Sequence, residues 1–455
     1  MIANNADNSS PVLSSEFDEW MSCIGYFEPN PTITIATSGG ADSMALLLLA
    51  KNWVRDRNGK LISLTINHNL RPEAADEAFQ VEQWCKKHDI EHHTLYWQHA
   101  STPLSAIQEN ARNARYELMV EWCVKNNILH LLTAHHRDDQ AETLFFRLAR
   151  GSGLEGLACM SAQTVISGVR LLRPLLQVPK SQLTATLEVA GQKWLEDSSN
   201  QNPLYTRIYI RKQLTKAPNE IVIKQTASHI TDKFGNFRNL LENKLVSQMT
   251  KAVEIYPEGY GIINHNDFSH LDKEISIKAL GALIRTISGA EHPPRKENLV
   301  YLNQLICNDQ LNSKRSLGGL FFEKISKTQT FVYREPRAIE NPIFIQSNTP
   351  TIWDKRFLVE WSSDTPSPPT IELRALGSDG LAQIKKNASH LLNNIPPARI
   401  IRTIPSIWIL EELVSAPHIS YMNSNYIFLN IKLYTQFHPA KPLADSGFFV
   451  MNNSM

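Results

Sequence analysis

Ser38-Gly39-Gly40-Ala41-Asp42-Ser43 is the stretch of this chain whose residue types and spacing most directly suggest chemistry. It follows an apolar run from Ile33 to Thr37 and precedes Met44 to Ala50, which reads as a helix. A strand, a glycine-rich turn and a helix in that order gather backbone N–H groups and a helix N-terminus around one anion. Two adjacent glycines let the backbone approach a phosphate closely, and the serine hydroxyls of Ser38 and Ser43 can donate to its oxygens. Asp42 is the odd member, because a carboxylate beside a phosphate needs a cation between them. The segment therefore predicts binding of a nucleotide with Mg²⁺, where a lone Gly-Gly would predict only a capped turn. No lysine follows the glycines, so it is not a Walker A loop.

Four further clusters carry polar chemistry. His135, Asp139 and Glu142 stand at i, i+4 and i+7 in AHHRDDQAET, a spacing that on a helix puts all three on one face. Two carboxylates with a histidine suit a metal or an ammonium group, and a capped helix start with solvated acids is the plainer alternative. His68 and Arg71, in Asn67-His68-Asn69-Leu70-Arg71, end a strand-like run, where an α/β sheet places its active edge. Arg112 and Arg115 sit three residues apart in QENARNARY, so both could reach phosphates and stabilise the charge of a leaving pyrophosphate. Glu196 to Asn200 is a polar turn, followed by a basic segment with Arg207 and Arg211. Gly151-Ser152-Gly153-Leu154-Glu155-Gly156 matches GxGxxG, but it follows a helix-like stretch. The dinucleotide reading requires a strand there and fails, leaving a loop near the site.

The elements that must hold these residues alternate. Short apolar runs at Ile33–Thr37, Leu61–Asn67, His92–Trp97 and Leu129–Thr133 are separated by helical patterns at Ala41–Arg55, Ala74–His88 and Ser105–Asn126. That order predicts an α/β fold, a parallel sheet flanked by helices, with its ligand at the carboxyl ends of the strands. Beyond Arg211 the alternation stops. Leu214 to Leu245 reads as a polar helix, Ile275–Ile287 as an amphipathic one, and Leu320–Ile325 and Thr330–Tyr333 as strands. Five prolines between Asn341 and Thr370 suggest a linker with some strand in its middle. Ile371–Leu376, Ile407–Leu410 and Tyr426–Ile431 then read as strands, and Leu381–Leu392 as a helix. The expected organisation is a catalytic domain over 1–215, a central domain over 216–340, a linker over 341–370 and a C-terminal domain over 371–455.

Composition narrows the class. At 455 residues with 42% hydrophobic and 20% charged residues, the chain can bury several cores. A formal net charge of only +1 means that any nucleic-acid surface is a local patch, such as Arg207 to Lys216 or Lys385 to Arg402. Five cysteines without a CxxC pair read as reduced thiols. The polar N-terminus and the lack of any run of about 18 apolar residues give the expectation of a cytoplasmic protein with no membrane partner.

Taken in order, SGGADS, NHNLRP, ARNARY, AHHRDDQAET, RGSGLEGL, RPLL at Arg173–Leu176 and EDSSN resemble the tRNA(Ile)-lysidine synthetase family of the PP-loop ATP pyrophosphatases. IPPARIIRTIPSIW, farther on, is similar to that family's terminal domain. The resemblance implies a Rossmann-like PP-loop catalytic domain with smaller C-terminal substrate-binding domains. It implies ATP and Mg²⁺ as cofactors, and free L-lysine and a tRNA(Ile) with a CAU anticodon as partners, and it favours a homodimer. The implied reaction adenylates the wobble cytidine and then joins lysine to its C2, releasing pyrophosphate and AMP.

On the same ground, Ser38, Gly39, Gly40, Ala41, Asp42 and Ser43 bind ATP, with Asp42 also the metal residue. Asp42, Arg112 and Arg115 serve catalysis, and His135, Asp139 and Glu142 hold lysine. His68, Arg71, Gly151, Gly153, Asn200, Arg207 and Arg211 bind tRNA or shape the site. One position departs from the family pattern: Ile208 stands where an Asn is usual, between the two retained arginines. The alternatives are another PP-loop tRNA modifier such as a thiolase, against which the missing CxxC counts, and a tRNA-binding homologue of weak activity.

Overall fold

The β-branched run Thr32–Ala36 (β1) forms a central strand, with Ile33 and Ile35 both fully buried. The computed structural model describes residues 10–68, 73–97, 107–196, 206–365, 370–393, 395–444 and 447–451, and for 107–113, 206, 207 and 428 the backbone alone. The described chain divides into two compact units, 1–242 with 446–455, and 243–445.

In the first unit the chain runs α1 (Ser14–Ile24), β1, α2 (Ala41–Arg55), β2 (Lys60–Asn67), α3 (Glu73–Lys87), β3 (Glu91–Tyr96), α4 (Ile107–Lys125), β4 (His130–Leu132) and α5 (Arg137–Ala149). It continues through α6 (Leu154–Leu157), β5 (Gln163–Ile166), β6 (Val169–Leu172), α7 (Lys180–Ala190), α8 (Thr206–Lys216) and the part up to Glu242 of α9 (Glu220–Ala252), whose remainder belongs to the second unit. The six strands lie in the order β3-β2-β1-β4-β6-β5, all parallel except the edge strand β5. Sequence order runs outward on one side through β2 and β3 and resumes on the other at β4, so the order reverses between β1 and β4. Ile33 of β1 pairs with Leu61 on one side and His130 on the other. Helix α2 buries Met44, Leu46, Leu47 and Leu49 in the main core, which also takes Met21 of α1 and Leu183 and Leu187 of α7. Burial of each such side chain contributes roughly 1.5–3 kcal/mol.

The polar helix expected over Leu214–Leu245 is two helices, because Pro218 cannot continue α8 and the turn Ala217–Glu220 restarts the chain as α9. The segment 447–451 belongs to this unit: Ala162 N donates to Phe449 O at 2.9 Å, and Met451 is buried in the main core.

The second unit is mixed. Strands β7 (Val253–Tyr256) and β8 (Tyr260–Asn264) precede α10 (His265–Ser269), α11 (Lys273–Ser288), α12 (Lys296–Cys307), β9 (Arg315–Leu317), β10 (Leu320–Lys324) and β11 (Gln329–Arg334). These strands form an antiparallel sheet in the order β7-β8-β11-β10-β9. Helix α11, expected to be amphipathic, is buried from Ile275 to Ser288 at all but two positions, since it supplies the centre of this core.

Residues 341–370 hold more structure than the expected linker. They carry β12 (Ile343–Ile345), β13 (Thr351–Trp353) and β14 (Phe357–Ser362), with Trp353, Phe357 and Val359 fully buried. The chain ends with β15 (Ile371–Ala375), α13 (Gly377–Asn387), α14 (Ala398–Ile401), β16 (Pro405–Ile409), β17 (Glu412–Ala416), β18 (Tyr421–Met422) and β19 (Lys432–Phe437). The strand expected at Tyr426–Ile431 is instead a 3-10 helix over Ser424–Leu429, capped by the Asn423 side chain on the Asn425 amide. Among the described residues no helix is long and apolar enough to cross a membrane.

A buried ion network ties the 341–365 segment to the rest of its unit. Asp354, fully buried, accepts from Arg334 Nε at 3.0 Å and Nη2 at 2.9 Å and from Arg356 Nε at 2.7 Å. The fully buried Arg356 also donates to the carbonyls of Gly259 and Ile287, each at 3.3 Å. Burial, the larger effect, pulls the Arg356 pKa down to about 10 against the pull of Asp354. Removing one partner of such a network strands a buried charge, at a cost of about 3–5 kcal/mol. Asp354→Ala is therefore expected to lower the unfolding free energy of residues 243–445, read from the midpoint and slope of their urea transition, by that amount; an unchanged midpoint would show the network to be dispensable.

Candidate functional site

The two loops that leave the sheet at its reversal point are Thr37–Gly40, after β1, and Thr133–His136, after β4. Such a crevice is where doubly wound sheets take their ligands. Both loops lie at the carboxyl ends of their strands, so the SGGADS and AHHRDD segments, about 95 residues apart in the chain, become neighbours.

The first loop is held by its own hydroxyls. Ser43 Oγ donates to Gly40 O at 2.9 Å and accepts from Ser38 N at 3.1 Å, and the two serine hydroxyls lie 3.2 Å apart. Gly39 has φ +82°, and a Cβ there would come within 2.6 Å of Leu195 Cδ1 and 2.8 Å of Val81 Cγ2. Gly40 is the N-cap of α2 and no side chain caps this helix, so its first turn, including Ala41, presents amide donors to a ligand.

Asp42 stands on that first turn. Its Oδ2 faces His136 Nε2 at 3.4 Å and Lys180 Nζ at 3.9 Å. Its buried Oδ1 has no hydrogen-bond partner. Burial raises the Asp42 pKa, but the His136 contact and the charges of Lys180 and Arg211 outweigh it and hold the carboxyl below its ordinary value. An ionised carboxylate with one unpartnered buried oxygen is the donor a hard cation takes. A nucleotide-bound Mg²⁺ needs only one or two protein carboxylates, since phosphates and water complete its shell.

His136 connects the two loops. It is the N-cap of α5, and its extended backbone lets Nδ1 accept from Asp138 N at 3.2 Å while Asp139 Oδ2 accepts from His136 N at 3.1 Å. Its Nε2 lies between Asp42 at 3.4 Å and Asp139 at 3.5 Å. Burial favours the neutral ring, yet the two carboxylates pull the pKa up to about 9. Protonating Nδ1 would forfeit the cap on Asp138, which opposes that pull. The upward pull prevails, because two anions face one ring.

The helical face expected for His135, Asp139 and Glu142 is only partly realised. Helix α5 begins at Arg137, so His135 lies before it, with Nδ1 3.0 Å from Thr133 Oγ1. The extended N-cap at His136 breaks the spacing. Asp139 and Glu142 do share the helix and both line a cavity of about 590 Å³. Glu142 is buried, with Oε1 taking Arg211 Nε at 2.6 Å and Oε2 taking Arg211 Nη2 at 3.0 Å. The cavity adds residues that spacing did not single out: His136, Arg137, Asp138, Lys180, Thr184, Glu220 and Lys224. Lys224 of α9 pairs with Asp138 and with Glu220. Lys180, the first residue of α7, supplies beside Asp42 the cation that the glycine loop lacks in sequence. A proline directly before a helix-forming run was the signal that could have marked it.

The remaining expected residues fall in three groups. His68 follows β2 and meets Arg115 Nη2 at 3.4 Å; burial and then the arginine charge push the histidine pKa down to about 4, so the ring is neutral at pH 7. Gly151 and Gly153 flank the end of α5 and the start of α6 and do not line the cavity; a Cβ on either would meet nothing within 4 Å. Arg71, Asn200 and the side chains of Arg112 and Arg207 lie outside the described residues. Ile208 is buried on α8, which packs against α5, so packing takes the place of the polar contacts an Asn would make.

The glycine geometry separates two substitutions. Gly39→Ala meets both a positive φ and a Cβ clash, together costing roughly 2–5 kcal/mol. Gly151→Ala, at φ +65° in open space, meets only the backbone term, about 1–2 kcal/mol. In calorimetric titration with ATP, Gly39→Ala is expected to lose binding and Gly151→Ala to keep it; equal affinities would detach the loop from nucleotide binding.

Comparison with known proteins bears on the same residues. Residues 13–218 match the PP-loop domain family. The chain is similar to the tRNA(Ile)-lysidine synthase of Rickettsia akari (strain Hartford), 32% identical over 407 residues that cover 86% of this chain and 90% of that one. It is 31% identical to the enzyme of the same name from Orientia tsutsugamushi (strain Boryong) over 428 residues, covering 90% and 93% of the two chains. Against that of Wolbachia pipientis wMel it is 33% identical over 330 residues, 72% of this chain and 76% of the other. With the glycine loop and the acidic helix set side by side at the sheet's reversal point, this likeness over most of the chain places it in the tRNA(Ile)-lysidine synthase family.

Proposed function

We propose that this chain joins L-lysine to C2 of the wobble cytidine in the CAU anticodon of tRNA(Ile), using ATP, in the cytoplasm. The observation that carries the reading is the juxtaposition, through Asp42–His136–Asp139, of an anion loop with an acid-lined cavity. An adenylating ligase that takes an amine needs both in one crevice.

In the first step the cytidine O2 attacks the α-phosphorus of ATP and pyrophosphate leaves. The backbone amides at Gly39 to Ser43 and the Ser38 and Ser43 hydroxyls receive the phosphate oxygens. Lys180, beside Asp42, and the arginines Arg112 and Arg115 offset the charge that develops on them. Asp42 would hold Mg²⁺, which would supply positive charge to offset that of the phosphates. In the second step the ε-nitrogen of lysine attacks C2 and AMP leaves. The ammonium must first shed a proton and the product nitrogen a second one. Asp139 holds the amine and accepts its proton, and the cationic His136 ring beside it keeps Asp139 ionised for that role. Glu142 and His135 complete the amine subsite in this reading.

The tRNA contacts fall to two basic surfaces. On α8, Lys212 and Lys216 are exposed while Ile208 and Leu214 are buried. In 243–445, Lys385, Lys386, Arg399 and Arg402 are exposed. His68, next to Arg115, stands where a neutral ring could contact the cytidine base.

ATP–pyrophosphate exchange with a CAU-anticodon tRNA transcript tests the first step, and incorporation of labelled lysine tests the second. Asp42→Ala is expected to reduce exchange by about 100-fold or more. Near-normal exchange in that variant would refute its role. Asp139→Ala is expected to raise the lysine concentration for half-maximal incorporation roughly tenfold, a loss of ~1.4 kcal/mol. Unchanged lysine dependence would remove Asp139 from the amine subsite. Exchange that proceeds without any lysine incorporation would favour a different acceptor chemistry on the same adenylate.

A further inference from the structure

Glu142 is the most deeply buried carboxylate of the proposed amine subsite, and both its oxygens are already taken. Arg211 binds it through a two-point fork, Nε to Oε1 at 2.6 Å and Nη2 to Oε2 at 3.0 Å. The Glu142 side chain is 9% exposed and that of Arg211 42%. A fork of this kind is among the stronger protein ion pairs, and the pair as a whole carries no net charge. An incoming ammonium therefore finds no free anion at Glu142. Adding a second cation beside the guanidinium is also opposed by like-charge repulsion.

Arg211 has somewhere else to go. It projects from α8 into the same cavity that Asp42 and Lys180 line, next to the phosphate loop. Phosphate oxygens accept the same planar fork as a carboxylate and carry more charge. A half-exposed side chain on a helix can change rotamer without disturbing the packing of Ile208 and Leu214 on the buried face.

We propose that Arg211 closes the amine subsite in the ligand-free protein by occupying Glu142, and that the phosphates of bound ATP open it by drawing the guanidinium away. This rests on the reading of Glu142 as a lysine ligand. The consequence is an order of events: the nucleotide binds first, and the amine is admitted only when an activating phosphate is present. Coupling of this kind is reciprocal, so lysine must tighten the nucleotide by the same factor.

Calorimetric titration of the full chain with L-lysine tests this, alone and with saturating α,β-methylene-ATP and Mg²⁺. In the wild type, lysine is expected to bind roughly tenfold or more tightly with the analogue present, within the usual range of such couplings. In Arg211→Gln, lysine alone should bind as tightly as it binds the analogue-loaded wild type, and the analogue should add nothing. Arg211→Lys, which keeps the charge but not the fork, should show a reduced coupling; it serves if the glutamine variant does not fold. Equal lysine affinity of wild type and Arg211→Gln without nucleotide would overturn the closure while leaving the amine subsite intact. Lysine binding that survives Glu142→Gln in the presence of the analogue, or no lysine binding by any form that still takes the analogue, would overturn the amine subsite itself and the closure with it.

Discussion

His136 holds two carboxylates that come from opposite sides of the sheet's reversal point, and the rest of the site depends on that bridge. Asp42 opens α2 and Asp139 lies in the first turn of α5, so each sits at a helix start, where the dipole favours an anion. Without a shared proton donor, two carboxylates converging on one crevice would repel. The buried ring lowers that repulsion and also caps α5, so the helix that bears the acids is fixed to the glycine loop. β1 and β4 make this possible, since their parallel pairing brings residues 37–43 and 133–142 to one edge.

Around the bridge, charges are balanced locally rather than excluded. The cavity sets Asp42, Asp138, Asp139, Glu142 and Glu220 against His136, Arg137, Lys180, Arg211 and Lys224. Burial raises the Asp138 pKa, yet the Lys224 contact leads the effects that hold it below its ordinary value. A cavity of alternating charges takes a substrate of either sign by exchanging partners, at little cost in net desolvation. That suits a reaction which brings in a polyanion and then a cation. It also explains why paired acids need not be idle acids: a pair is a resting state that a better partner can replace.

The second unit solves a different problem with the same chemistry. Asp354 and its two arginines carry the bonds that neighbouring strands cannot make to one another, reaching backbone carbonyls of Gly259 and Ile287 from a single fully buried side chain. Buried charge of this kind is costly to place and costlier to break. The proline-rich 341–370 segment reads as a linker because prolines interrupt its strand pattern. Its described strands are held by the buried Trp353, Phe357 and Val359 together with Asp354 and Arg356, two residues that look in sequence like ordinary surface residues.

Local chemistry was legible in the sequence wherever neighbouring residues act together. The Ser38–Ser43 loop, the helix at Ala41–Arg55, the alternation of strands and helices, and the acidic turn at Asp138–Asp139 all depend on contacts within a few residues. Periodicity and glycine placement report such contacts directly. Three things needed the tertiary structure. His136 rather than His135 is the buried histidine, because the helix starts at Arg137, two residues later than the i, i+4 spacing supposes. Lys180 came to Asp42 on α7, which packs against α2 from 138 residues along the chain. Arg211 met Glu142 across two packed helices. Each is a long-range pairing of charges, and a charge carries no periodicity that would announce its partner. The sequence by itself determined which groups have the chemistry for a phosphate and an amine; the packing of α5, α7 and α8 at the strand ends decided which of them converge on one cavity.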